Sequence, residues 1–103
     1  EKYKDPAAVL VGGVLEEHLR QLAGAKGIGV EEPRGGQMVP RKADALNADL
    51  AKAGVYNKLE QKQVTAWLDL RNKAAHAGYQ EYDAAQVKLM LEGVRQFVAR
   101  VRP

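Results

Sequence analysis

The sequence predicts an all-α fold of four helices, with one long loop between the first and second. Three observations carry that prediction. Apolar residues recur at helical spacing in four stretches, capping signals open and close those stretches, and no segment alternates with period two long enough to make a strand. The chain has 103 residues, the length of a single domain over 1–103 rather than of two independent cores.

Asp5-Pro6 opens the first helix: an N-cap side chain precedes a proline whose missing N–H costs nothing at the first helical position. Ala8, Val11, Leu15, Leu19 and Leu22 form its stripe. Val9, Leu10 and Val11 make its start apolar all round, which predicts burial on more than one side. Gly24 and Gly27 end it. Ile28 to Arg41 holds Pro33, Gly35, Gly36 and Pro40, has no usable periodicity and reads as a surface loop. Ala43, Leu46, Leu50 and Ala53 make a short second helix. Gly54 is its left-handed stop, with Val55 placed to pack back on Leu50. Asn57 to Glu60 is a capping-box pattern for a third helix, which runs to about Ala77 and stops at Gly78. Asp83 to Gln86 repeats that pattern. It opens a fourth helix with the stripe Val87, Met90, Leu91, Val94, Phe97, Val98 and Val101.

Composition narrows the function. Hydrophobic residues at 46% and charged residues at 28% are the balance of a folded chain, not a disordered one. A net charge of +3, with bases and acids interleaved, permits an anionic partner without demanding one. The absence of cysteine excludes disulfides, zinc–thiolate sites and thiol catalysis. His18 and His76 are the only histidines, too few for a multi-histidine metal cage, so neither metal nor cofactor is expected. No apolar run approaches the ~18 residues of a membrane span, and no signal-peptide pattern opens the chain. A cytoplasmic protein with no membrane partner is expected. Its start at Glu1, without methionine, fits a domain excised from a larger parent protein or a processed chain.

Several features have structural explanations. Gly24, Gly27 and Gly29 match no nucleotide-binding fingerprint and are better read as a flexible loop. Gly12-Gly13, inside the first helix, costs about 0.5–1 kcal/mol per glycine relative to alanine, which the close approach of another helix would justify. Glu16-Glu17 reads as a solvated edge.

The third helix is more informative. Its apolar residues cover an arc of roughly 200°, and Arg71 projects into the middle of it. An unpaired buried arginine is expensive. Either Glu16 or Glu17 supplies an internal ion pair, or the side chain reaches the surface, or the arginine is held by the core and aimed at a phosphate. His76 follows five residues later, at the helix end, with Asn72 one turn before it. Histidine titrates near neutrality, and beside an arginine it is the minimum set for metal-free RNA cleavage. Arg71 and His76 lie about 140° apart on an ideal helix, so they converge only if the arginine reaches round or the last turn loosens.

The segment Leu70-Arg71-Asn72-Lys73-Ala74-Ala75-His76-Ala77-Gly78 resembles the signature of HEPN (higher eukaryotes and prokaryotes nucleotide-binding) domains, small prokaryotic type. That signature is an arginine, four to six residues beginning with a polar one, then a histidine near the end of a long helix in a small α-helical bundle. The resemblance implies a metal-independent endoribonuclease acting on RNA, a toxin or anti-phage defence effector, with Arg71, Asn72 and His76 catalytic. It also implies a homodimer that brings two such sets together, and an antitoxin as a possible partner. In one branch a tyrosine stands two residues after the histidine; here that position is Gly78, with Tyr79 next. The competing reading is a non-catalytic nucleotide-binding or dimerisation module in which Arg71 is structural. No aromatic platform for general single-strand binding is evident.

Overall fold

The computed structural model describes residues 4–76, 78 and 81–103. It is predominantly helical: α1 (Lys4–Ala25), a hairpin of β1 (Glu31–Arg34) and β2 (Gln37–Pro40), then α2 (Ala43–Lys52), α3 (Lys58–Ala75) and α4 (Ala84–Arg100). The long α1 packs against all three other helices, α2 also packs on α3, and α3 meets α4 mainly through the side chains of Trp67 and Glu60. With extents of 40 × 34 × 18 Å, the assembly is about two helix diameters thick.

The stripe on α1 buries Ala8, Leu15, Leu19 and Leu22. Three details differ from the sequence expectation. Asp5 is not an N-cap, because the helix is already under way at Lys4; instead the Asp5 carboxylate accepts the Tyr82 hydroxyl. Gly24 lies within the helix, and the stop is Gly27, at φ 73°. There Ile28 N–H reaches the Ala23 carbonyl at 2.8 Å and Gly27 N–H reaches Gly24 at 3.2 Å, the paired bonds of a Schellman ending. The same pair recurs at the end of α2, where Val55 N–H bonds Leu50 and Gly54 N–H bonds Ala51, each at 3.0 Å. The all-round burial expected near the start of α1 is absent: Leu10 is 71% and Val14 57% exposed.

The expected loop over 28–41 is instead an antiparallel hairpin pairing Glu31 with Pro40 and Arg34 with Gln37. Gly35 and Gly36, at φ 60° and 82°, form a two-residue turn whose twist suits the strands. Counting pairs outward from this turn puts Pro33 and Pro40 at positions whose nitrogens face away from the partner strand, so no ladder bond is lost. Neither strand has a buried face, which is why the sequence shows no alternation.

Asn57 caps α3 by accepting the Glu60 N–H at 2.9 Å. The reciprocal half of the expected box is missing, because the Glu60 carboxylate takes Arg100 of α4 at 2.7 Å. At α4 the box is complete, with both Asp83–Gln86 bonds at 2.8 Å. Val87, Met90, Val94 and Phe97 of its stripe are buried, but Leu91 is 48% exposed. Phe97 is central to the core, edge-on to the rings of His18, Tyr56 and Trp67 at centroid distances of 5.9, 5.3 and 6.2 Å. His18 Nε2 donates to the Val101 carbonyl at 2.5 Å, tying α1 to the end of α4.

A buried polar network joins α2 to α3. Tyr56 donates to Asn47 Oδ1 at 2.6 Å, and Asn47 Nδ2 donates to the Gln61 carbonyl and to Thr65 Oγ1, both at 3.1 Å. Burial, then the charge of Glu60, pushes the Tyr56 phenol well above its ordinary range. The folded state therefore holds this proton more tightly than the unfolded state, and the associated stability is lost as pH rises past about 10. A Tyr56→Phe variant is expected to lose less stability between pH 8 and 11 than the wild type, measured by urea titration at each pH.

The two glycines of α1 are not equivalent. A Cβ on Gly12 would lie 2.0 Å from Arg71 Cγ and 2.6 Å from Arg71 Cβ, whereas one on Gly13 would meet nothing within 4 Å. Gly12→Ala is expected to destabilise by about 1–3 kcal/mol through overpacking that α3 cannot relieve without shifting. Gly13→Ala should stabilise by about 0.5–1 kcal/mol from helix propensity alone. Urea midpoints of the two variants check both signs.

Candidate functional site

Arg71 reaches the site by crossing α1. Its aliphatic stem lies over bare Gly12, and its Nη1 pairs with Glu16 Oε1 at 3.1 Å, one turn further along α1. Of the two acids considered from sequence, Glu16 is the partner. Both side chains are only partly covered, at 31% exposure for Arg71 and 23% for Glu16. Arg71 Nε is buried and has no hydrogen-bond partner among the described residues.

Asn72 is exposed on α3, and its carbonyl accepts the His76 N–H at 3.0 Å. His76 is the C-cap of α3, at φ −111° and ψ 27°, so the backbone has left helical geometry at this residue. The departure is confined to this cap residue, since the His76 N–H still makes the helical bond to Asn72. The imidazole is exposed and has no hydrogen bond or ion pair among the described residues. Ala77 and Tyr79, which figured in the sequence expectations, lie outside the described residues.

Arg71, Asn72 and His76 all line one cleft of about 510 Å³. Glu16 and Arg20 of α1 form another part of its wall, and the segment from Pro40 to Asp44, joining the hairpin to α2, completes it. Arg41 fastens that segment: Nη2 pairs with Asp49 at 2.7 Å, Nη1 donates to the Gly29 carbonyl at 2.9 Å, and Nε stands 4.0 Å from Glu32. Arg20 Nη2 donates in turn to the Arg41 carbonyl at 2.8 Å. Of the four basic residues on this wall, Arg41 is paired with Asp49 and Arg71 with Glu16, which leaves Arg20 and Lys42 beside the single carboxylate of Asp44. The balance favours an anion. Among the described residues, no group of three or more His, Cys, Asp or Glu side chains is placed to hold a metal ion. No described helix is long and apolar enough to cross a membrane.

Sequence reasoning missed Arg20, Arg41 and Lys42. The available signal was the Pro40-Arg41-Lys42 run, but its approach to α3 depends on a hairpin that lacks apolar alternation.

Arg71→Ala removes the packed stem and leaves Glu16 without its partner. Because the pair is partly exposed, the expected loss is about 1–3 kcal/mol, between that of a surface pair and a buried one. Glu16→Gln, which keeps the shape, should cost no more than about 1 kcal/mol by the same urea titration. No protein-family model, curated protein or solved structure matches the chain.

Proposed function

We propose that the chain is a HEPN-type, metal-independent endoribonuclease that cleaves RNA in the cytoplasm as a toxin or anti-phage effector. The observation that supports it is that Arg71, Asn72 and His76 open onto one cleft with a surplus of positive charge. In this reading the RNA 2′-OH attacks the adjacent phosphorus and its proton passes to a histidine. The bond to the 5′-oxygen breaks, and that oxygen leaves with a proton, giving a 2′,3′-cyclic phosphate and a 5′-hydroxyl. Arg71 stabilises the charge gathering on the non-bridging oxygens, and Asn72 orients the phosphate or the imidazole.

One chain supplies one cleft histidine, so separate acid and base roles favour a homodimer in which the second copy supplies the other. Exposed Leu10 and Val14 support this, since with Val9 and Val98 they line an apolar groove that Arg71 also borders. A nuclease of this kind needs restraint, by an antitoxin or by the rest of a parent protein.

The Arg71–Glu16 pair at 3.1 Å favours a second reading, a non-catalytic nucleotide-binding or dimerisation module in which Arg71 is structural. Cleavage of single-stranded RNA in EDTA separates the two. The nuclease reading expects cyclic or 3′-phosphate ends from the wild type, and activity abolished by His76→Ala with the urea midpoint nearly unchanged. A wild type inert toward a broad RNA panel would leave the binding module. Sedimentation equilibrium at micromolar concentration should give about twice the chain mass, and a monomer would remove the two-histidine mechanism.

A further inference from the structure

The cations of the cleft fall into two kinds. Arg41 and Arg71 are each neutralised, by Asp49 at 2.7 Å and Glu16 at 3.1 Å. Arg20 and Lys42 have no carboxylate within 4.0 Å among the described residues. The bond from Arg20 goes to a neutral carbonyl, which positions the guanidinium but leaves its charge uncompensated. Lys42 makes no side-chain hydrogen bond or ion pair among the described residues, and its donor-only ammonium cannot cap α2. Both residues stand on fixed backbone: Arg20 lies within α1, one turn beyond Glu16, and Lys42 is held between the hairpin and α2 by the bonds of Arg41.

Lys42 is exposed and Arg20 half-buried, and cations on a concave wall with no carboxylate against them draw in the negative charges of a ligand. We infer that Arg20 and Lys42 bind the backbone phosphates flanking the one at Arg71 and His76. The substrate is then a strand of several nucleotides, held by its phosphates along α1 and the start of α2, and not a mononucleotide. This assignment rests on the RNA reading above. It adds the residues that position the strand and predicts that they act on binding and not on the chemical step.

The test measures binding of a single-stranded oligoribonucleotide against salt, with every variant built on His76→Ala so that cleavage does not consume the probe. The slope of log K against log salt shrinks by about 0.7 for each phosphate of a single strand that the protein no longer neutralises. Arg20→Gln combined with Lys42→Gln should therefore flatten the slope by about 1.4. Arg20→Lys, which keeps the charge, should restore its share, and urea midpoints identify any variant that has merely unfolded. In active protein the same pair should raise KM and leave kcat within about twofold. An unchanged slope in folded variants, with wild-type cleavage intact, overturns this assignment and leaves the nuclease reading standing. A flattened slope in a protein that never cleaves supports the phosphate sites and sinks the nuclease. Absence of any RNA binding overturns both.

Discussion

The passage of Arg71 across Gly12 governs the rest of the structure. α1 touches every other helix, so its distance from α3 sets the geometry of the whole. That distance depends on a position without a side chain, because any Cβ there would overlap the arginine stem. The glycine's cost to helix propensity is small beside the ordering of α3 that it permits. Glu16, one turn on along the same face, then receives the guanidinium. The packing against α1, the ion pair and the mouth of the cleft are therefore consequences of one crossing.

Much of this was legible in local sequence chemistry. Asn57 and Asp83 cap their helices, and Gly54 with Val55 closes α2 as their residue types require. Arg71 stood out because it interrupts an apolar arc, and Gly12 because glycine inside a helix asks for a neighbour. The hairpin was not legible. Its four-residue strands bury neither face, so the only clue was Gly35-Gly36, which a flexible loop would also use. With the hairpin went the cations that it delivers to the cleft. The Asn47 network was equally hidden, since a polar residue on a short helix announces burial only when its partners on α3 are known.

Glu16 holds Arg71, and in the proposed function a phosphate in the cleft would compete for the same guanidinium. Its fork can face both, because Nη1 is the atom engaged by Glu16. A preformed pair of this kind fixes the arginine before a substrate arrives, at the expense of part of its charge. Arg20 and Lys42 carry the uncompensated charge instead. Positioning and attraction are thus divided between different residues of one cleft. His76, beyond the last regular turn and without a partner among the described residues, is the least constrained member of the set, as the proposed proton-transfer role would need.

The most direct measurement is NMR observation of the Arg71 Nε–H and the His76 imidazole during titration with an oligonucleotide carrying 2′-deoxyribose, which cannot be cleaved through its own 2′-oxygen. If the cleft receives the phosphate, both signals move together and saturate on one binding curve, while Leu10 and Val14 stay still at constant oligomeric state. Binding that shifts neither Arg71 nor His76 would contradict the assignment of this cleft as the site of phosphate chemistry.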